Sequence, residues 1–267
     1  MGSQNGNGVS IRYTPEGELV LRYPGGLEDQ TGIFPTASDR NIIETFVRST
    51  AGRTLLMQQN TREIHCPLTG LLRREPGRQM ISERLSRIGG VPFHGTVSVL
   101  VLDLDYCGRV NKQYGHTTGD HVLIWFANIL KRWLRGSDVV VRWGGEEFVV
   151  FTSASQPPAE RAGHRDRDLA SSAFDQSGGV DPTWTAVVNN GEYVANRIVH
   201  NTQAGPCMVG GTAIHQGVTI GVASQIIIPG SSVEGIFERL FESADAQLRN
   251  AKTSDQRGKI HVAPMQT

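Results

Sequence analysis

The sequence predicts an α+β fold, and two observations lead to this expectation. Short apolar runs typical of buried strands alternate with longer segments in which apolar residues recur every three or four positions, as in amphipathic helices. From about residue 66 the order of these segments is α, β, α, β-hairpin, α, β, α, β. This order contains a βαββαβ unit, which folds into an antiparallel sheet that we expect to carry helices on one face.

The composition limits the classes of partner. At about 150 residues per domain, 267 residues fit one large domain or one domain with an elaborated end. Lys plus Arg and Asp plus Glu both number 26, so nothing global favours binding to a nucleic-acid polymer or an anionic membrane. No apolar run approaches the roughly 18 residues of a membrane span, and we expect no membrane insertion. The lack of a signal-peptide pattern and the odd number of cysteines favour a cytoplasmic location.

Residues 1–61 are predicted to form an N-terminal extension. Two short alternating pieces, at 9–13 and 18–23, have the pattern of a small hairpin. From Ser38, a favourable N-cap residue, apolar side chains at helical spacing predict a helix that continues toward Ile64. This helix either packs on its own domain or pairs with a second copy of the chain, and in the second case it would serve dimerisation or signalling.

The segments after residue 66 predict the main domain in order. Apolar residues mark one face of a first helix, which ends at Gly89 and Gly90: Met80, Ile81, Leu85 and Ile88. The run from Val97 to Leu102 is too continuous for a surface strand, so it predicts a central strand buried on both faces. The other predicted helices cover 119–134, 191–203 and 233–251, and the other strands cover 139–142, 147–151, 218–223 and 259–263.

The stretch 153–190 is polar, rich in Pro, Gly and Ser, and too long for an ordinary connection. We therefore predict an insertion in the domain. A solvent-exposed loop is the simpler interpretation, and a regulatory or partner-docking loop is the alternative.

Two or three carboxylates are expected to gather where two neighbouring strands end, and Asp103 and Glu146 are expected to approach one another. Asp103 and Asp105 end the central strand, and Glu146 and Glu147 lie at the hairpin tip, which this topology places on an adjacent strand. Gathered carboxylates repel one another unless a cation lies between them, and oxygen ligands select Mg²⁺ or Mn²⁺. Because Mg²⁺ shares its coordination with phosphates, we expect a nucleoside triphosphate. Alternatively, the aspartates only cap the strand and the glutamates are hydrated turn residues.

Two further polar residues match a guanine edge. The Asn111 amide can donate to O6 or N7, and the Asp120 carboxylate can accept from N1–H and the 2-amino group, whereas adenine would leave Asp120 unpaired. The glycines in Gly115–Asp120 would let a flat ligand approach the backbone. Solvated turn residues are the alternative interpretation.

Taken together, these residues resemble the GGDEF family, the bacterial diguanylate cyclases, in a GGEEF variant. The matching motifs are Pro67-Leu68-Thr69-Gly70-Leu71, Leu102–Asp105 with Asn111, Gly115-His116 with Gly119-Asp120, Arg142–Phe148, and Ala244-Asp245 with Ala251-Lys252. The resemblance covers about residues 62–263, apart from the insertion at 153–190. It implies a ferredoxin-like, palm-type βαββαβ core with additional helices and a terminal strand.

The resemblance also implies an activity. A homodimer would hold one GTP in each subunit, and two attacks of a 3′-hydroxyl on an α-phosphate would give cyclic di-GMP and two pyrophosphates. Asp103, the Leu104 carbonyl and Glu146 would bind two Mg²⁺ or Mn²⁺ ions per half-site, and Glu146 or Glu147 would assist deprotonation of the hydroxyl. The positions implied to contact GTP are Asn111, Asp120, Gly144, Gly145, Lys252 and, if one extra residue is accommodated, Arg257.

A second site is implied by Arg135-Gly136-Ser137-Asp138, which matches the RxxD motif at which the product of this family binds and inhibits. An arginine suits this task because its planar guanidinium stacks on a purine and forks onto its acceptors. The alternative is an arginine at a helix end that pairs with a nearby surface aspartate.

Some residues depart from the family pattern. Cys66 replaces the aspartate that opens the first motif, so the N-terminal attachment is expected to be looser or differently made. Gly108 removes a lysine that contacts phosphates, so either the affinity for GTP is reduced or Arg109 or Lys112 takes over this role. Cys107 is expected to be a small packing residue. These departures leave open a catalytically weak or inactive regulatory protein that binds cyclic di-GMP or GTP, and relaxed base choice is a further alternative that Asp120 argues against.

Overall fold

The computed structural model describes residues 10–16, 18–22, 28–30, 40, 43–44, 47, 63–91, 95–155 and 189–266. The chain divides into two compact units, Met1–His65 and Cys66–Thr267. Most of the helix predicted from Ser38 lies outside the described residues. So does the predicted insertion, except for residues 153–155 and 189–190.

The first unit contains a small antiparallel sheet in the order β1 (Ser10–Tyr13), β2 (Leu19–Arg22) and β3 (Glu28–Gln30). The first two strands coincide with the pieces predicted to pair, and Tyr13 lies opposite Leu19. An ion pair of 2.6 Å between Arg12 and Glu28 joins the outer strands.

In the described part of the second unit, the helices are α1 (Arg74–Gly89), α2 (Cys107–Tyr114), α3 (His116–Trp133), α4 (Asn190–Gln203) and α5 (Ile236–Thr253). The strands are β4 (Leu72–Arg73), β5 (Gly95–Leu104), β6 (Val139–Arg142), β7 (Glu147–Ser155), β8 (Cys207–Val209), β9 (Thr212–Ile214), β10 (Val218–Ile227) and β11 (Ile260–Val262). None of the described helices combines the length and the apolar character needed to cross a membrane.

Six of these strands form one mixed sheet in the order β11-β10-β5-β7-β6-β4. The four central strands are antiparallel neighbours, and β11 and β4 add parallel edges. The central order is that of the βαββαβ unit, so the predicted α+β architecture is confirmed. The prediction of helices on one face is wrong, because helices cover both faces.

The central strand β5 explains why helices cover both faces of the sheet, because all ten of its residues are buried. Leu100, Leu102 and Leu104 pack in a core with residues of α3 and α4 such as Phe126 and Ile198. On the other face, Gly221 lies opposite Val101 and leaves room for α5: a Cβ there would lie 2.0 Å from the Ala244 carbonyl oxygen. A strand buried on both faces needs helices on both faces.

Local differences from the predicted elements concern helix starts and a hairpin. The helix predicted over 119–134 begins at His116, and the short α2 precedes it. Gly115 joins the two helices at φ 85°, a conformation that favours glycine. The β8–β9 hairpin was not predicted, and Met80, assigned to the buried face of α1, is 39% exposed.

Candidate active site

The end of β5 and the tip of the β6–β7 hairpin meet at one edge of the sheet. Asp103, the penultimate residue of β5, lies opposite Glu147 on one side and Thr219 on the other. The backbone amide of Leu104 donates to the carbonyl of Glu146 at 3.2 Å, which ties the tip to the strand end. The structure therefore brings Asp103, Leu104 and Glu146 together, as expected from the topology.

Asp103 is the most enclosed acid of this edge, with 4% of the residue exposed. Its Oδ2 forms an ion pair with Nζ of Lys252, near the end of α5. Its Oδ1 is buried and has no hydrogen-bond partner among the described residues. Burial raises the pKa of Asp103, and the contact with Lys252 opposes this rise.

Glu146 lies half-buried at the hairpin tip and shares this electrostatic environment. Burial raises the pKa of Glu146, and the negative charge of Asp103 raises it further, whereas Lys252 lowers it. Glu147 is exposed, and its Oε2 would lie 2.7 Å from a Cβ placed on Gly144. Of the two glutamates, Glu146 is therefore the one that is partly buried and whose pKa is raised by the charge of Asp103.

The donor set fits a hard divalent cation. No cluster of three or more His, Cys, Asp or Glu side chains that could hold a metal occurs in the part of the chain that the structure describes. The expected ligands, however, are two carboxylates and the Leu104 carbonyl. A buried carboxylate oxygen without a partner, next to a second carboxylate with a raised pKa, is what such an ion would satisfy.

Asp105, which follows β5, connects this strand to β10. Its Oδ1 accepts a hydrogen bond of 2.7 Å from the Thr219 hydroxyl, and its backbone amide donates to the Gly217 carbonyl at 2.9 Å. Its carbonyl accepts from the Gln216 side chain. These contacts favour the structural interpretation of Asp105 over a role as metal ligand.

Next to Asp105, two guanidinium groups flank one aromatic ring. Tyr106 has φ 58°, a strained value for a residue other than glycine. Its ring contacts Arg109 at 4.1 Å and Arg257 at 5.1 Å. Arg257 also lies 3.8 Å from Oδ1 of Asp105. The structure thus places the guanidinium groups of Arg109 and Arg257 beside the acidic edge. The sequence had suggested Arg109 or Lys112 for phosphate contact, and of these two Arg109 is the one that lies at Tyr106.

Cys107 begins α2 under the same carboxylates. Burial, followed by the charges of Glu146 and Asp103, raises the pKa of Cys107 to about 12. A thiol with this pKa stays protonated at neutral pH, which agrees with the predicted packing role.

Asn111 and Asp120 lie on neighbouring helices, α2 and α3. Oδ1 of Asn111 is buried without a hydrogen-bond partner among the described residues, whereas Asp120 is exposed. A Cβ on Gly119 would lie 1.9 Å from Oδ1 of Asn111. Gly119 therefore makes room for the Asn111 side chain, a role that the sequence did not indicate.

The hairpin tip is held by residues on both sides of it. Arg142 donates to the Gly145 carbonyl at 2.8 Å and to Sγ of Cys66 at 3.0 Å. The Trp143 ring packs against Phe241 at 4.7 Å and lies under the Arg74 guanidinium, also at 4.7 Å. Cys66 is thus attached to the domain through Arg142. This contact anchors the first motif although Cys66 replaces the aspartate of the family pattern.

The Arg135–Asp138 turn lies at the other end of β6 from the hairpin tip. Oδ2 of Asp138 accepts from the Arg135 amide and Oδ1 accepts from the Thr152 hydroxyl, both at 2.8 Å. Asn190, the first residue of α4, donates to the same hydroxyl at 3.1 Å. Arg135 is exposed, so its guanidinium faces solvent while Asp138 shapes the turn.

Comparison with known proteins gives one consistent family. Residues 64–177 match the family model described as diguanylate cyclase, GGDEF domain. The chain is 39% identical over 108 residues to diguanylate cyclase DgcP from Pseudomonas aeruginosa, a match that covers 40% of this chain and 16% of that protein. The chain thus spans about one sixth of the length of this relative.

Two solved structures are similar in fold. The isolated GGDEF domain of TpbB, also called YfiN, from Pseudomonas aeruginosa has a TM-score of 0.53 and 26% identity, covering 74% of this chain and 94% of that one. The coiled coil and GGDEF domain of DgcB from Caulobacter crescentus, in complex with c-di-GMP, has a TM-score of 0.58 and 18% identity, covering 85% and 100%. These similarities confirm the ferredoxin-like, palm-type fold.

Proposed function

Because this chain contains a domain of the GGDEF diguanylate cyclase family, we propose that it condenses two GTP into cyclic di-GMP and two pyrophosphates. The observation that carries the proposal is the edge where β5 and the hairpin tip meet. There, Oδ1 of Asp103 is buried without a partner among the described residues, and Glu146 and Lys252 lie next to it.

Asp103, the Leu104 carbonyl and Glu146 are proposed to hold Mg²⁺ or Mn²⁺. Two such ions, when bound, would stabilise the attacking and leaving oxygens of the phosphoryl transfer. Lys252 neutralises Asp103 in this structure. With a cation bound at Asp103, Nζ of Lys252 would be available to the terminal phosphates of GTP. A lysine on a flexible stem suits this exchange of partners.

Substrate binding is proposed to use residues on both sides of this edge. Asn111 and Asp120 read the guanine base, since one offers an amide and the other a carboxylate. Gly144 and Gly145 keep the tip thin where base and ribose lie. Arg257, next to Asp105, adds a positive charge for the phosphates. Glu146 or Glu147 accepts the proton of the attacking 3′-hydroxyl.

Catalysis is proposed to need a homodimer, because each subunit holds one GTP and the two 3′-hydroxyls attack in opposite directions. The product is proposed to inhibit by binding at Arg135 and Asp138. The exposed guanidinium of Arg135 supports this proposal, since it is free to stack on a purine.

The test is incubation of the purified chain with GTP and either Mg²⁺ or Mn²⁺, followed by mass spectrometry of the products. We expect cyclic di-GMP and pyrophosphate from the wild type and none from Asp103→Ala. Absence of any cyclic dinucleotide at high protein concentration would overturn the enzymatic proposal.

Calorimetry separates the enzyme from a regulatory protein. We expect cyclic di-GMP binding that is lost in Arg135→Ala, and we expect that variant to keep turnover and lose product inhibition. Binding that depends on Arg135 in a wild type without turnover would instead favour the non-catalytic receptor. The supporting observation for this alternative is Gly108, which offers no side chain that could contact phosphates.

A further inference from the structure

Hydrogen bonds add to the packing of Trp143 in positioning the hairpin tip that carries Glu146. A Cβ placed on Gly145 would meet no described heavy atom within 4 Å. The amides of Trp143 and Gly144 both donate to the Glu147 carbonyl, at 2.9 and 3.3 Å, and close the turn. No described side chain therefore packs against the Cα of Gly145, so the hydrogen bonds of its carbonyl are the contacts that hold this peptide.

Arg142 supplies that restraint. Its Nη2 and Nε donate to the Gly145 carbonyl at 2.8 and 3.3 Å, so one guanidinium grips the oxygen with two N–H groups. A planar fork of this kind fixes direction as well as distance. The restrained peptide immediately precedes Glu146, so the orientation of this peptide bears on where the Glu146 carboxylate lies.

The third nitrogen of the same guanidinium is held by Cys66. Nη1 of Arg142 donates to Sγ of Cys66 at 3.0 Å. Cys66 is itself fixed in a tight turn, in which its carbonyl accepts from Gly70 at 2.7 Å and its amide donates to Leu71 at 2.8 Å. Lys131 of α3 holds that turn from outside by donating to the Thr69 carbonyl at 2.5 Å. The sulfur is therefore a rigid anchor.

The thiol chemistry of Cys66 agrees with a real bond to Arg142. Burial alone would raise the pKa of this thiol. Hydrogen bonds with Thr69, Arg142 and the Leu68 backbone outweigh that effect and lower its pKa to about 7. A partly ionised sulfur beside a guanidinium forms a charge-assisted contact, which is stronger than a neutral one.

We propose that Arg142 is a positioning residue for the Glu146 tip and that Cys66 anchors it, so that the sulfur controls the catalytic hairpin through one guanidinium. This inference rests on the proposed cyclase activity for its kinetic consequence but not for the contact itself. In this role Arg142 acts through its contacts with the Gly145 carbonyl and the Cys66 sulfur.

The contact is tested without reference to activity. Alkylation of each cysteine by iodoacetamide is followed by mass spectrometry between pH 6 and 10. In the wild type, the midpoint at Cys66 is expected near pH 7, and in Arg142→Gln it is expected to rise by about one unit. Hydrogen exchange at residues 143–147 is expected to accelerate in Cys66→Ala and not in Cys207→Ala. Unchanged midpoint and exchange would overturn the proposal.

The kinetic consequence is tested on the same variants. Since small displacements of a reacting group cost roughly ten- to a hundredfold in rate, we expect kcat to fall by about that factor in Cys66→Ala, with KM for GTP changed less than about twofold. Cys66→Asp, which restores an anion for Arg142, is expected to regain most of the loss, and Cys207→Ala to match the wild type. Equal kcat in Cys66→Ala and wild type, or no rescue by Cys66→Asp, would contradict the proposal. A wild type without turnover would instead refute the cyclase assignment and leave the alkylation and exchange results to decide the contact.

Discussion

Lys252 and Asp103 form an ion pair at the end of β5 that satisfies only one of the two carboxylate oxygens. Burial outweighs this pairing and leaves the pKa of Asp103 raised. In the absence of a metal, the charged form of Asp103 is therefore less favourable in the folded chain than in the unfolded chain. The acidic edge is maintained at a cost in stability, and a bound cation would remove that cost.

Asp103→Asn is accordingly expected to abolish product formation without lowering the thermal midpoint in EDTA, because it removes a buried charge. Circular dichroism melting measures the midpoint. Glu238→Gln is the control, since it breaks an exposed ion pair of 3.0 Å with Arg78, and we expect it to change stability by at most about 0.5 kcal/mol. A loss above roughly 2 kcal/mol in Asp103→Asn would show that the pair with Lys252 is net stabilising.

Arg109 is expected to contact the phosphates of GTP, because it lies with Arg257 against Tyr106. Arg109→Ala should weaken binding of a non-hydrolysable GTP analogue by about tenfold, the value of one charge-assisted hydrogen bond. Lys112→Ala, on the same helix, should change the affinity less than about twofold. Calorimetry on both variants decides between them, and equal losses would contradict this assignment.

Gly119→Ala is expected to impair guanine recognition by displacing the Asn111 side chain, whose Oδ1 would lie 1.9 Å from the new Cβ. We expect affinity for the GTP analogue to fall about tenfold and the weak affinity for the ATP analogue to stay constant. The matched control is Gly205→Ala, whose Cβ would meet no described atom within 4 Å. Parallel losses for both nucleotides would mean that Asn111 does not read the base.

Cys66 predicts a pH dependence of stability. Its pKa is about 7 in the folded chain and near 8.5 to 9 in an unfolded one, so the unfolded state binds more protons between these values. The free energy of unfolding should therefore rise from pH 7 to pH 9 relative to Cys66→Ser, by on the order of 1 to 2 kcal/mol.

Urea unfolding under reducing conditions measures this difference, with Cys207→Ser as the control. Burial raises the pKa of Cys207, so the opposite sign applies to it and no gain should appear in the same window. If the difference between wild type and Cys66→Ser were flat with pH, the sulfur would not be ionised beside Arg142.

The sequence predicted the elements whose signal is local. The run from Val97 to Leu102 predicted the buried strand, and hydrophobic periodicity predicted the bounds of α3 and α5 to within a few residues. The short α2 was missed because it has too few apolar residues to show a period and because it contains Gly108. The β8–β9 hairpin turns on Gly210 and Gly211, and this pair is the local signal that indicates the hairpin.

The site could be assembled from motifs, whereas its internal contacts could not. The nearness of Asp103 and Glu146 follows from strand order alone. The bond between Cys66 and Arg142 joins positions 76 residues apart, and no periodicity links them. Likewise, only the packed helices reveal that Gly119 accommodates Asn111. Contacts of this kind depend on tertiary packing, which a pattern of residue types does not encode.

The alternation of side chains along β5 has a consequence for how this chain tolerates change. Leu102 and Leu104 lie on one face and Asp103 on the other, opposite Glu147. A slip of one residue against β7 would exchange an acid for a leucine at the acidic edge. The same slip would bury the Asp103 carboxylate among the leucines of the core, so correct strand alignment and the acidic edge depend on each other.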